Sequence, residues 1–275
     1  MMSGRWIDDT LHLLGLVLIG TIVLFLMIPI VVTAIMAFDA RPYLGPLPPP
    51  ALSLRWFAQF FSDDTFLRGL VVSAELAVLS VAIALAVGVL TAVAIERLSF
   101  GGKDVLVSLF LSPLIVPPIV TGFALLLFLS HFGLIGGFAR LLCGHVIITV
   151  PYTIRATLAG LAGIDRSLGE AALSLGASER QAFWDVTLPL ARTSIVSGAI
   201  FAFAVSMDDV AVSIMLTDAT TYTLPVALIS SMRANFNLAI AAASVMLMLL
   251  TLTLILALDR LVGLNRVVGQ SVFRS

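Results

Sequence analysis

Residues 11–38 read LHLLGLVLIGTIVLFLMIPIVVTAIMAF and carry no formal charge. A hydrocarbon core of about 30 Å takes about 20 helical residues at about 1.5 Å each, so the run is long enough to cross one. Pro29 is expected to bend this span or to mark its extracytoplasmic end. A cleaved secretory leader fits the run less well. Asp8 and Asp9 outnumber Arg5 ahead of it, and it exceeds the usual apolar core of about 7–15 residues in a leader.

Further stretches of sufficient length lie near 69–95, 105–130, 141–163, 193–217 and 236–258. The 275 residues are 60% hydrophobic and 11% charged, with a mean hydropathy of +1.13. A soluble domain of this size carries about 25% charged residues. The deficit identifies lipid as the solvent and argues against a cytosolic enzyme. A net charge of -1 without a long basic tract argues against a nucleic-acid partner. The fold expected is an all-α integral membrane protein with six transmembrane helices in one domain over 11–260, flanked by termini at 1–10 and 261–275.

No catalytic or metal-binding constellation emerges. The single cysteine, Cys143, excludes an intramolecular disulfide framework. His12, His131 and His145 lack the spacing of metal ligands, and Ser130-His131 has no accompanying acid. There is no Gly-rich phosphate loop ending in Lys-Ser/Thr, so the chain is not expected to hydrolyse a nucleotide alone. Uphill transport would draw on an ion gradient or a separate motor subunit.

An even number of spans puts both termini on one side. With the N terminus inside, Arg5, Arg97, Lys103, Arg166, Arg180, Arg192, Arg260, Arg266 and Arg274 are internal, against Arg41, Arg55, Arg68, Arg140 and Arg233 outside. This excess favours cytoplasmic termini. In the first outer segment, 39–68, Pro42, Pro46, Pro48, Pro49 and Pro50 discourage a helix, while Leu54 to Phe61 suits a short interfacial one carrying Trp56. Trp6 and Trp56 are read as interfacial anchors. Pro113, Pro117 and Pro118 should kink or unwind the third span, for packing or for a water-lined path. Small residues in spans two and six allow close helix approach.

The loop between spans four and five, 164–192, reads IDRSLGEAALSLGASERQAFWDVTLPLAR. Ser167 is expected to cap a helix beginning near Leu168, with Glu170 favouring its positive end. Helical spacing aligns Ala171, Leu175, Ser178 and Ala182, unless Gly176 divides the segment into two short helices. Pro189 can terminate a helix, and Trp184 and Phe183 are read as packing the segment against the membrane domain.

Glu170-Ala171-Ala172, Gly176, Val186 and Leu188-Pro189, at this spacing, resemble the EAA loop of permease subunits in binding-protein-dependent ABC importers. SPLIVPPIV in span three is similar too. Val186 replaces a commoner Ile without loss of apolar character. The resemblance covers roughly 65–260 and implies a type I-like permease fold in a bacterial inner membrane. It also implies a second, different permease chain, two cytoplasmic ATPase subunits binding ATP and Mg2+, and an extracytoplasmic solute-binding protein. No cofactor is expected on this chain itself. In that family the loop docks as a coupling helix into the ATPase. The small residues would admit its backbone to a cleft, and Leu188-Pro189 would direct the return to span five.

Asp208 and Asp209 lie toward the outer side of span five, where charge is costly unless it faces water, a partner or the bundle interior. At about 100° apart on a helix they cannot share a narrow face. They are read as part of a polar path or as partners of Arg155 or Arg233. Glu75 in span two and Arg155 in span four are further intramembrane charges. SMDD resembles permeases of spermidine/putrescine type, with iron or another small organic solute as the alternative cargo. Outside the family, an ion-coupled secondary transporter and a membrane scaffold are the other readings.

Overall fold

A computed structural model describes residues 3–234 and 237–262. The role read for Trp6, the proposed start of span six at 236 and the tail from 263 lie outside the described side chains and residues. The described residues form two compact units: 3–63 with 230–234 and 237–247, and 64–229 with 248–262.

In the first unit, helix α1 (Ser3–Ala37) carries the apolar run that opens the sequence. Its side chains from Leu11 to Ile30 are almost all exposed, a surface suited to lipid. The helix continues through Pro29 and ends at Ala37, so the proline does not mark its end. The proline-rich segment that follows is held by an Asp39–Leu52 bridge and by the Arg41 guanidinium, which grips the Asp39 carboxylate. Trp56, on α2 (Arg55–Ser62), is buried and donates from Nε1 to the Asp39 carbonyl at 2.7 Å. It is therefore an internal pin rather than a headgroup anchor. Phe61 is the exposed aromatic of this helix, while Phe60 is fully buried.

The second unit is built on three helices: α3 (Asp64–Arg97), α6 (Gly137–Ala162) and α9 (Leu188–Asp208). Their register follows from the buried side chains. Leu76 packs with Leu141 and Ile148, Ala84 with Val150 and Ile154, and Ala92 with Leu161 and Ala191. Hence α3 and α6 run parallel and α9 runs antiparallel to both. Close approach depends on small residues. A Cβ on Gly88 would overlap the Thr153 side chain, and one on Gly198 would lie 3.0 Å from Ala156 Cβ and 3.2 Å from Thr153 Cα.

Between α3 and α6 the chain forms α4 (Lys103–Leu111), a tight turn at Ser112–Leu114 and α5 (Pro118–His131). The two halves meet at 105°, far more than a kink. Pro117 and Pro118 supply the cause: neither has an N–H to continue a helix, and each restricts the residue before it. Because α3 and α6 run parallel, this bent pair returns the chain to the end where α6 begins. After α9 come α10 (Ser213–Leu216), α11 (Leu224–Ala234) and α12 (Ala239–Val262). The described residues contain five helices long and apolar enough to cross a membrane, or up to six with the bent pair as one span.

Candidate functional site

The loop joining α6 to α9 begins with α7 (Arg166–Ser174). Asp165, rather than Ser167, is its cap: the carboxylate accepts from the Ser167 N–H at 2.9 Å. That N–H, and then the Ser167 hydroxyl, hold the Asp165 carboxyl below the usual carboxylate range. The cap is complete above the ordinary aspartate pKa and is lost as pH falls through the lowered native value. Glu170 lies beyond the first turn and gains little from the helix dipole.

Gly176 divides the loop, as one of the two sequence readings allowed. It has φ +91°. Its N–H bonds the Leu173 carbonyl at 3.0 Å, and the Ala177 N–H bonds the Ala172 carbonyl at 3.1 Å. This is the Schellman ending, with glycine at the left-handed position. The continuous face of Ala171, Leu175, Ser178 and Ala182 therefore does not exist. No atom outside the glycine's immediate chain neighbours lies within 4 Å of where a Gly176 Cβ would stand, so backbone conformation rather than close packing requires glycine here.

Ser178 and Gln181 then form a complete capping box on α8 (Glu179–Gln181). The chain widens into i→i+5 turns over Ala182–Thr187, with the Leu188 N–H reaching the Phe183 carbonyl. Pro189 follows as the second residue of α9. The proline does not terminate the helix: a helical path runs from Glu179 to Asp208, because the wide turn re-phases the backbone bonds that the missing N–H disturbs.

The loop is tied to the end of α3. Arg166 pairs with Glu96 at 2.5 Å. Arg97 donates to Thr187 Oγ1 at 2.6 Å and lies 5.5 Å from the centroid of the Phe183 ring. Phe183 thus packs inward, whereas Trp184 is exposed. An open cleft of about 530 Å³ lies between these elements, lined by Glu96, Arg97, Leu161, Glu170, Val186 and Thr187, among others. Ala171 is exposed, Ala172 and Leu188 are half-buried, and Pro189 is exposed. Leu168 and Leu175 are exposed, Leu175 at 90%, while Leu173 lines the cleft.

At the opposite end of α9, the two aspartates part company. Asp208 is the last helical residue and is exposed. Asp209 is extended, with φ -66° and ψ 127°, so the pair does not share a helix. Asp209 Oδ2 accepts from the Ser213 N–H at 2.8 Å and from its hydroxyl at 2.9 Å, while Oδ1 meets the Val212 N–H at 3.4 Å. Glu75 and Arg155 are both exposed. The register puts Arg155 next to Gly88, about 20 Å along the axis from Glu75, and about 15 Å from the level of Ser206. Arg155 is accordingly remote from Glu75 and from both aspartates. Among the described residues no cluster of His, Cys, Asp and Glu is arranged to hold a metal ion.

Residues 84–265, which contain the loop and both aspartates, match the family described as the binding-protein-dependent transport system inner membrane component. The chain belongs to this family. It is 32% identical over 209 residues to the spermidine/putrescine transport system permease protein PotC of Haemophilus influenzae (strain ATCC 51907 / DSM 11121 / KW20 / Rd), covering 76% of this chain and 80% of that one. It is 30% identical over 192 residues to the putrescine transport system permease protein PotI of Escherichia coli (strain K12), covering 67% and 68%. Its fold is similar to a chain of a bacterial ABC transporter involved in the import of the acidic polysaccharide alginate. That likeness has a TM-score of 0.73 at 18% identity and covers 95% of this chain and 99% of that one. The protein is therefore an ABC-importer permease subunit, embedded in the membrane by several spans.

Sequence reading of this permease missed Glu96, Arg97, Asp165 and Thr187. The Glu-Arg doublet ending span two and the Asp before Arg166 were visible signals. Thr187 carried none, because its partner is 90 residues away.

Proposed function

We propose that this permease imports a small cationic solute of the spermidine/putrescine class, powered by ATP hydrolysis on two separate cytoplasmic subunits that bind ATP and Mg2+. A second, different permease chain completes the pathway, and an extracytoplasmic solute-binding protein delivers the cargo. The chain crosses a bacterial inner membrane six times with both termini in the cytoplasm and performs no catalysis itself. One observation carries this reading: α9 joins the loop at one end to the acidic pair at the other. A displacement imposed on α7 is passed through the wide turn and the Arg97–Thr187 contact to a helix whose far end presents carboxylates. Glu170, Ala171, Ala172 and Gly176 form the docking surface, Val186 lines the cleft behind it, and Leu188 and Pro189 begin the transmitting helix. The polyamine class rests on exposed Asp208 and on the resemblance to PotC and PotI.

Such coupling requires states with different partner contacts rather than a standing pore. The assembled transporter, reconstituted with candidate partner subunits and binding protein, would be offered labelled spermidine, putrescine, ferric iron and a neutral organic solute. Asp208→Asn is expected to lower polyamine uptake by about tenfold or more, the scale of a lost charge-assisted contact, with a different effect from Asp209→Asn. Unchanged polyamine uptake in both single variants and the double variant, at matched abundance, would reject the cationic-solute assignment. ATP-independent uptake would reject the motor.

A further inference from the structure

His145 is a fully buried imidazole on α6 that the proposed transport cycle leaves without a task. Its Nδ1 lies 2.7 Å from Ser206 Oγ on α9, and its Nε2 lies 3.0 Å from Ser213 Oγ on α10. Ser206 continues to Ser80 on α3 at 3.2 Å, and Ser213 continues to the Asp209 carboxylate. The direction of this chain follows from counting protons. The Ser213 hydroxyl donates to Asp209 Oδ2, which commits its one proton. Ser213 must then accept from His145 Nε2–H, which leaves Nδ1 of the neutral ring to accept from Ser206. Ser206, its own proton given to His145, accepts from Ser80, whose one hydroxyl proton is shared with the Ala77 carbonyl at 3.3 Å.

The network ends where the backbone leaves α9. That segment is also seated on glycines. A Cβ on Gly144 would crowd Val212 Cγ1 and Leu216 Cδ1, and one on Gly122 would lie 3.0 Å from Val212 Cα. α5 and α6 thus pack directly on the turn after Asp208, and α3 reaches it through Ser206 and His145.

We propose that His145 is a positioning residue for the acidic pair: acting through Ser213, it locks Asp209 as an internal cap and leaves Asp208 as the carboxylate offered to the solute. The second half of this statement rests on the cationic-solute reading; the lock does not.

The test uses the assembled transporter in two readouts. In the first, Asp208→Cys in a Cys143→Ala background is labelled with a water-soluble thiol reagent. Breaking a buried hydrogen bond shifts a local equilibrium by about tenfold. His145→Leu and Ser213→Ala are therefore expected to change the labelling rate on that scale. His145→Gln, which keeps a donor near Nε2, is expected to restore most of it. In the second, Ser213→Ala with Asp208 intact is expected to raise KM for spermidine by about tenfold while changing maximal uptake far less. Unchanged labelling in both His145→Leu and Ser213→Ala would overturn the lock. If His145→Leu fails to assemble, Ser213→Ala decides alone. A labelling change combined with normal uptake by Asp208→Asn would retain the lock and remove the solute reading. Impaired uptake by Asp208→Asn without any labelling change would do the reverse.

Discussion

Gly176 has open space where a side chain would project, yet a left-handed backbone that side chains resist. Substitution by alanine costs about 1 kcal/mol from conformation alone, and asparagine, which tolerates this region, costs less. Gly176→Ala is thus expected to weaken ATP-driven uptake more than Gly176→Asn, with membrane insertion unchanged in both. Uptake and copurification of the ATPase subunits, measured at equal abundance, check the order. The position of the glycine was legible in the sequence, but its cause was not. A room-for-a-neighbour reading and a φ requirement predict the same residue, and only the torsion angle separates them. The aspartate pair failed for the opposite reason. Spacing treats 208 and 209 as helical neighbours, whereas Asp209 captures the Ser213 N–H and ends the helix between them.

Among the elements, α3, α6 and α9 depend on missing side chains. Gly88 faces Thr153, which is buried and donates to the Ala84 carbonyl at 2.8 Å, so it has little freedom to move aside. Gly88→Leu is expected to destabilise the helix pair by about 1–3 kcal/mol, the cost of overpacking; thermal unfolding of the purified chain in detergent is the check. Apolar length located these helices well, because lipid imposes it. It could not locate the 105° bend, since three prolines announce a disturbance without its angle. At the loop, Arg166 is largely exposed in its pair with Glu96, and such pairs contribute little. Arg97 is part-buried against Thr187 and Phe183. Arg97→Ala should therefore impair ATP-driven uptake more than Glu96→Gln. Vesicle uptake at matched abundance would expose the reverse order.

For the whole molecule, the parallel course of α3 and α6 and the antiparallel course of α9 put the loop and the acidic pair at opposite ends of one bundle. With Cys143 replaced by alanine, a cysteine at Ser174 is expected to react with a thiol reagent only from the cytoplasmic side, and one at Thr220 only from outside. Labelling of Ser174→Cys in intact cells would invert the membrane orientation. Sequence periodicity carried the apolar spans and the spacing of the loop motif, because both are local. It could not carry the contacts of Arg97 with Thr187 or of His145 with Ser213, which exist only once distant segments meet. The wide turn at Ala182–Thr187 has a geometric corollary. It inserts extra residue into the winding just before Pro189, so it fixes the azimuth of everything upstream. Closing that turn to ordinary pitch with every residue kept would swing the preceding loop by about 100° around the axis, aiming the face of α7 away from whatever it now meets while leaving every span intact.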